Sequence, residues 1–236
     1  IVIGMLQSIS MKTYPIEMFQ EFGFTIIDET HHISAEIFSN SLFKIVTKYM
    51  LGLSATMNRK DGLTKVFKMF LGDVVVKKKR EDDTPVTVKA IEYHTDDDYF
   101  NETIYNFNGQ THYALMISKL CEFNPRREFI LKILVDTLKT AKKNKERMQI
   151  MILAHNKNLL HYLYDAIEHR NIASVGYYIG GMKQKALQET ETKKIVIATY
   201  AMAAEALDIK TLSRLVMATP KTDITQSVGR ILRMKH

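Results

Sequence analysis

The chain is poor in cysteine and lacks a long apolar run, and both absences narrow the class of protein. Among 236 residues only Cys121 carries a thiol, which excludes an internal disulfide and any zinc site built on paired cysteines. No signal peptide and no apolar stretch long enough to cross a bilayer can be identified. We therefore expect an intracellular protein, cytoplasmic or nuclear, with no membrane partner.

The composition is that of a globular protein with a basic balance. Hydrophobic residues make up 46% of the chain and charged residues 25%, which is enough apolar material for a sizeable core. The formal net charge is +7, and the sequence pI is about 9.3. A basic protein attracts polyanions, so nucleic acid is one of the expected partners.

Strand-like and helix-like stretches alternate along most of the chain. Strands are predicted at 1–6, 24–29, 49–56, 147–155, 174–181, 194–200 and 212–220, and helices at 15–22, 34–49, 62–70, 156–170, 183–191 and 225–233. This alternation is typical of an α/β fold with parallel sheets and helices on their faces. Between the two halves, residues 85–94 alternate like a strand, and a polar insertion or linker follows. We predict a first domain at 1–85, a connector at 86–124 and a second domain at 125–236.

The stretch FTIIDETHH places two carboxylates directly after an apolar strand. In open parallel sheets, catalytic groups collect just past the carboxyl ends of the strands, where Asp28 and Glu29 would lie. One carboxylate could hold Mg²⁺, and the second could orient a water molecule. The alternative is structural: the pair ends a strand before a helix that Ser34 caps.

Two other motifs in this region have weaker interpretations. LGLSAT puts the hydroxyls of Ser54 and Thr56 at the end of the next strand, where they could bond across the site. It partly matches the nucleophile pattern G-x-S-x-G, but Thr56 replaces the second glycine, so we do not expect a serine hydrolase. His31 and His32 are adjacent and HExxH is absent, which argues against a zinc site.

Taken together, several stretches resemble the motifs of superfamily 2 helicases of the DExH group. IIDETHH and LGLSATMNRKDG are similar to motifs II and III, IVIATYAMAAEALDI to motif V, and QSVGRILR to the QxxGRxxR pattern of motif VI. GMLQSI resembles the segment that precedes motif II, motif Ib. The subgroup is the one that contains XPB-like, UvsW-like and type III restriction helicases, and the motif III region is also similar to helicases of large cytoplasmic DNA viruses. The resemblance implies two RecA-like domains with ATP and Mg²⁺ bound between them.

The resemblance also implies roles for the residues of motifs II and III. Asp28 would hold Mg²⁺ and Glu29 would polarise the hydrolytic water. His31 would link the nucleotide to motif III. Ser54 and Thr56 would couple the state of the nucleotide to domain movement.

For motif VI, the resemblance implies that Arg230 and Arg233 face the γ-phosphate from the second domain, with Gln226 supporting the contact. Phosphoryl transfer needs positive charge near the developing oxyanions, which suits two arginines that follow a glycine. The alternative is that these arginines form a solvated face of the last helix.

Motif V and three other loops are the implied nucleic-acid contacts. Thr199 would touch the backbone, while Glu205 and Asp208 would bridge to the nucleotide; Ala206 stands where related proteins usually carry glycine, which weakens the Asp208 assignment. The remaining candidates for phosphate contacts are Gln7, Ser8, Asn156 and Gly181. The expected partner is nucleic acid, DNA before RNA, although salt-sensitive backbone contacts do not report the sugar. The basic run at 77–80 is interpreted as a solvated face.

One element of the family pattern is absent from this sequence. Family members carry a phosphate-binding loop before the first of these motifs, but neither GKS nor GKT occurs in the chain. Without that loop the β- and γ-phosphates lack their amide cradle and lysine. The first explanation, favoured by the apolar start of the chain, is an N-terminally truncated first domain of a helicase. The second is an ATPase-inactive scaffold that binds nucleic acid.

Overall fold

The computed structural model describes residues 1–30, 35–45, 47–54, 64–78, 87–205, 209 and 211–221, with the backbone alone for Ala35, Ala204 and Glu205. The chain divides into two compact units, residues 1–81 and 82–236. In the part of the chain that the structure describes, no helix is long and apolar enough to cross a membrane.

The first unit is a small parallel sheet with helices. Its elements are α1 Leu6–Met11, α2 Glu17–Gln20, β1 Phe24–Ile27, α3 Ala35–Leu42, β2 Tyr49–Gly52 and α4 Thr64–Leu71. Strands β1 and β2 pair in parallel, with Phe24 opposite Tyr49 and Ile27 opposite Gly52. The helix between them provides the crossover that parallel strands require.

A small apolar core with two phenylalanines stabilises this unit. Ile27, Phe38, Leu42, Ile45 and Phe67 are buried in one cluster. The rings of Phe38 and Phe67 meet edge to face, with their centroids 4.7 Å apart, which is a favourable aromatic geometry.

Two predictions for the first unit are wrong in detail. The expected strand at 1–6 is absent: residues 1–5 have no regular structure, and α1 begins at Leu6. Leu6 and Ile9, three residues apart, pack against the core cluster, which is helical spacing rather than strand spacing. The helix expected at 34–49 ends at Leu42, because the chain must turn back to begin β2.

The second unit contains a larger parallel sheet. Its elements are α5 Asp98–Asn101, α6 Tyr113–Glu122, α7 Asn124–Lys143, β3 Ile150–Ala154, α8 Lys157–His169, β4 Val175–Tyr178, α9 Gln184–Glu191, β5 Ile195–Thr199, α10 Tyr200–Glu205 and β6 Arg214–Met217. The strand order is β4-β5-β3-β6, and every pair is parallel. The predicted α/β class is thus confirmed.

Apolar residues cover both faces of this sheet. Along β3, Ile150 and Ile152 belong to one buried cluster, whereas Met151 and Leu153 belong to a second. Successive side chains of a strand point to opposite faces, so the two clusters lie on the two sides of the sheet. This explains why the central strands are continuous apolar runs.

The strand suggested at 85–94 is not present in its described part, residues 87–94. Tyr93 instead packs its ring against Phe123 and Phe129, at centroid distances of 6.3 and 5.2 Å. The other large apolar residues of this segment, Val88 and Ile91, are exposed, so the alternation in the sequence corresponds neither to a strand nor to a buried face.

Candidate functional site

The acidic pair lies directly after β1, as the sequence predicts. Asp28 and Glu29 are both exposed. The backbone N–H of Glu29 donates to Asp28 Oδ1 at 2.8 Å, and Glu29 has a φ of 49°, in the left-handed region. Few residues other than glycine adopt this conformation, and such positions are concentrated at functional sites.

Hydrogen bonds fix the acidic pair beside the end of β2. Leu53 N donates to Ile27 O at 2.8 Å, and Thr30 N donates back to Leu53 O at 3.1 Å. The hydroxyl of Thr30 also donates to Leu53 O, at 3.3 Å, and this residue is only 2% exposed. The segment of the acidic pair is therefore held beside that of Ser54, a half-buried residue. Thr30 was not singled out in the sequence, although it stands inside DETHH.

Gly52 allows the end of β2 to lie close to Leu71 of α4 and to Thr30. A Cβ atom at Gly52 would lie 2.5 Å from Leu71 Cδ1 and 3.2 Å from Thr30 Cγ2. Both distances are shorter than ordinary contacts, so a side chain here would push α4 or the Thr30 loop away.

Gln7 and Ser8, two of the predicted nucleic-acid contacts, lie on α1. Gln7 is exposed and Ser8 is half-buried. The carbonyl of Ser8 accepts a bond from Lys12 N at 3.0 Å, at the end of the helix. The helix packs on α3, the next helix after the acidic pair in the chain.

In the second unit, three predicted contacts fall on one edge of the sheet. Asn156 follows β3, Gly181 follows β4 and Thr199 ends β5, with Thr199 opposite Ala154 in the register. Since these strands are parallel neighbours, their carboxyl ends share one edge. The fold therefore brings these three positions to the same side of this unit.

Two of these side chains already cap helices. Asn156 Oδ1 accepts from Asn158 N at 2.7 Å and from Leu159 N at 3.3 Å, as an N-cap of α8. Thr199 Oγ1 accepts from Met202 N at 3.4 Å at the start of α10. Each residue thus has a structural role that is compatible with a further contact through its other atoms.

Gly181 has a conformation that suits glycine. Its φ is +89°, and a Cβ atom there would have no neighbour within 4 Å. The need for glycine is therefore conformational, and the surrounding space is open to a ligand.

Thr219, which sequence reasoning missed, joins the ends of three strands. His155 N donates to Thr219 Oγ1 at 3.1 Å, and the Tyr200 hydroxyl donates to Thr219 O at 2.6 Å. The rings of His155 and Tyr200 lie 4.6 Å apart between centroids. Burial raises the pKa of Tyr200, so its hydroxyl stays protonated as a donor. A threonine just after β6 and before a proline gives little signal in the sequence.

The side chains of the remaining predicted site residues lie outside the part of the chain that the structure describes. His31, Thr56, Asp208, Gln226, Arg230 and Arg233 lie outside the described residues, and Glu205 ends α10 with only its backbone described. Their predicted roles stay predictions.

The described residues offer no metal site made by protein ligands alone. No group of three or more His, Cys, Asp or Glu side chains among them is arranged to hold an ion. The exposed carboxylates of Asp28 and Glu29 are hard oxygen donors, which suit Mg²⁺ when phosphate oxygens and water complete its shell. This donor set fits a magnesium ion that arrives with a nucleotide.

Comparison with known proteins identifies the family and the fold of this chain. Residues 1–59 match the family model "Type III restriction enzyme, res subunit". The structure of S. cerevisiae Dbp5 bound to RNA and ADP BeF3 aligns with 91% of this chain and 50% of its own, at a TM-score of 0.51 and 12% identity. That similarity supports the RecA-like α/β fold.

Two viral proteins match almost the whole sequence. "Putative ATP-dependent RNA helicase L396" of Acanthamoeba polyphaga mimivirus is 36% identical over 98% of this chain and 44% of its own length. "Putative ATP-dependent RNA helicase QP509L" of African swine fever virus (isolate Tick/South Africa/Pretoriuskop Pr4/1996) is 26% identical over 99% of this chain and 47% of its own. The predicted resemblance to superfamily 2 helicases of the viral type is thereby confirmed. The chain spans about half the length of these relatives.

Proposed function

We propose that this chain supplies two RecA-like units to an NTP-dependent helicase or translocase. The observation that carries the proposal is the acidic pair Asp28–Glu29, held by hydrogen bonds beside the Ser54 segment. The viral relatives, which match nearly the full chain and are named ATP-dependent helicases, support it.

In the proposed reaction ATP would bind together with Mg²⁺ beside Asp28 and Glu29, at the carboxyl end of β1. The ion would neutralise charge on the phosphates. Asp28 would hold it, and Glu29 would orient and deprotonate the attacking water. Gln226, Arg230 and Arg233 would stabilise the charge that develops on the γ-phosphate.

For the substrate we propose single-stranded RNA as the first candidate. Sequence reasoning expected DNA before RNA, but both viral relatives carry "RNA helicase" in their names. The net charge of +7 suits either nucleic acid. Gln7, Ser8, Asn156, Gly181 and Thr199 are the proposed contacts with the sugar-phosphate backbone.

The second candidate is a scaffold that binds nucleic acid without hydrolysing ATP. The absence of GKS and GKT from the sequence is the observation that favours it. Such a scaffold would bind nucleic acid at the edge of the second sheet that carries Asn156, Gly181 and Thr199. It would lack the loop that binds the β- and γ-phosphates.

The test is ATP hydrolysis with and without RNA or DNA oligonucleotides. It compares this chain, any longer version that its gene encodes, and Glu29→Gln in each. We expect Glu29→Gln to lower turnover by about 100-fold or more, the loss typical of a missing general base, and to leave oligonucleotide binding intact. Glu21→Gln is the matched control, because Glu21 is an exposed carboxylate of the same unit at the end of α2.

The outcomes separate the two candidates. Turnover that depends on Glu29 and not on Glu21 supports the motor. Salt-dependent binding of oligonucleotides with no turnover in any version contradicts the motor and supports the scaffold.

A further inference from the structure

Helix α1 has few means of fixing its own position. It is six residues long, has no side-chain cap at Met5, and carries no acidic residue in its first turn and no basic residue in its last. Helices this short are marginal by themselves. Its place in the first unit must therefore come from contacts with its neighbours.

Lys44 holds the C-terminal end of α1. Its ammonium group donates to the carbonyls of Ile9, Ser10 and Lys12, at 2.9, 2.9 and 3.1 Å. These three bonds use every N–H of the ammonium group. Carbonyls at a helix C-terminus lack partners within the helix, and a cation there is favourable.

Ser41 holds the other end of the same helix. Its hydroxyl is 2.8 Å from Leu6 O and 2.7 Å from Ile37 O, so one proton is shared between two carbonyls. Ser41 is fully buried. Residues 41–44, at the end of α3 and just after it, therefore contact both ends of α1.

The strand that carries the acidic pair and helix α1 pack against the same apolar cluster as α3. Ile27, which immediately precedes Asp28, is buried in the same cluster as Phe38 and Leu42 of α3, and Leu6 and Ile9 of α1 pack against that cluster. A displacement of α3 at the acidic pair would therefore move α1 as well.

We propose that Lys44 and Ser41 are positioning residues that hold Gln7 and Ser8 in place for nucleic acid. This proposal rests on the proposed function, since it assigns α1 as a nucleic-acid contact. Lys44 acts through the helix and not on the phosphate, because its three donors are already bonded to backbone carbonyls.

The test measures binding of a fluorescently labelled, mixed-sequence single-stranded RNA by anisotropy, with the DNA of the same sequence in parallel. Lys44→Met keeps the length of the side chain but removes the two bonds to α1 and the third bond to Lys12, the residue that follows the helix. Hydrogen bonds to charged groups are strong enough that we expect affinity to fall by about tenfold. Lys44→Arg, which can still donate to these carbonyls, should recover part of the loss.

Lys68→Met is the matched control for the change in charge. Lys68 is an exposed lysine of α4 in the same unit, and its ammonium group is paired with Asp73 at 2.7 Å. We expect this variant to bind within about twofold of the wild type, because an exposed ion pair contributes little. An equal loss in both lysine variants would overturn the proposal.

The salt dependence of binding separates positioning from direct contact. A lysine that neutralises a phosphate contributes about one unit to the slope of log K against log salt concentration. We expect the slope of Lys44→Met to equal that of the wild type, with affinity lower at every salt concentration. A slope smaller by about one unit, or an unchanged affinity, would overturn the positioning role.

A second pair of variants keeps the test decisive if Lys44→Met fails to fold. Ser41→Ala removes the bond to Leu6 at the other end of α1 and should also weaken binding. The effects of Gln7→Ala and Ser41→Ala should be less than additive if both act through α1, whereas full additivity contradicts the proposal. If the wild type binds neither oligonucleotide, the proposed function and this inference are both wrong. If the wild type binds and none of these variants changes its affinity, this inference alone is wrong.

Discussion

The two units of the chain differ in how deeply their sheets are buried. In the second unit, all five residues of β3 and the first four of β5 are buried, with apolar clusters on both faces. In the first unit, β1 buries only its last residue, Ile27, while Phe24 and Ile26 remain 52% and 56% exposed. The acidic pair therefore follows a strand that is much less buried than the central strands of the second unit.

This difference shows two ways of positioning functional groups. In the second unit the edge residues are fixed by a rigid sheet, and helix caps such as Asn156 add local order. In the first unit the position of the acidic pair depends on a few specific contacts, above all the bonds of Leu53 and Thr30 and the glycine at 52. We expect the first unit to open more readily, because local stability follows apolar burial.

The largest expected effect is the loss of a core residue in the second unit. Leu163 of α8 is fully buried in the main cluster. Leu163→Ala should lower the free energy of unfolding by about 3 kcal/mol, since it removes apolar contacts and leaves a cavity. Chemical denaturation followed by circular dichroism measures the loss, and hydrogen exchange identifies the unit that opens.

The control for this prediction is Leu115→Ala, at a position in α6 that is 47% exposed. Its effect should stay within about 0.5 kcal/mol, as for most surface substitutions. Equal losses in the two variants would show that burial in this unit does not determine its stability.

Periodicity in the sequence located the sheet of the second unit well. Strands expected at 147–155 and 194–200 appear as β3 and β5, and the helix expected at 156–170 appears as α8. Short apolar runs between turn signals indicated these strands, because runs of about four to eight residues rich in β-branched side chains are too short for typical buried helices. Of the wrong strands, 1–6 is also an apolar run and 85–94 alternates, but the structure gives the described residues of both segments no neighbouring strand to pair with.

The contacts that organise the candidate site were harder to predict. The strand end and the acidic pair could be identified from FTIIDE, and the family resemblance implied a role for the pair that stays a prediction. Lys44, Thr30 and Thr219 act through backbone carbonyls and amides of distant segments. Such bonds depend on the tertiary arrangement, and a single lysine or threonine has no pattern that indicates them.

A smaller effect is expected where the first unit depends on close packing. Gly52→Ala places a methyl group against Leu71 and Thr30. Overpacking of this kind usually costs about 1–3 kcal/mol, and we expect the lower half of that range because the end of the Leu71 side chain can move. Hydrogen exchange should show faster opening of the first unit, with the second unit unchanged.

Gly23→Ala provides the control in the same unit, because a Cβ atom there would meet nothing within 4 Å. If it destabilises the unit as much as Gly52→Ala does, the loss comes from the backbone and not from the contact with α4. Faster exchange in the second unit would contradict the view that each unit is stabilised by its own contacts.

The smallest effect concerns the surface of the second unit, where an ion pair adds to the apolar contact between α7 and α8. Glu128 accepts two bonds from Arg170, both at 2.7 Å, and one from the Tyr162 hydroxyl at 2.6 Å. The bonds from Arg170, then that from Tyr162, lower the pKa of Glu128 from 4.5 to about 2. A carboxylate whose folded pKa is depressed stabilises the fold fully above pH 4.5, and the contribution is lost as the pH falls toward 2.

Because Glu128 and Arg170 are 45% and 50% exposed, solvent screens the pair and its contribution to stability at neutral pH should be small. Glu128→Gln should therefore be slightly less stable than the wild type at pH 7, and the difference should shrink as the pH falls through this window. Glu168→Gln is the control, since the bond that Glu168 accepts comes from a neutral hydroxyl, Tyr164, at 3.3 Å. A loss at pH 7 as large as that of Leu163→Ala would mean that ion pairs, and not apolar burial, distinguish the second unit from the first.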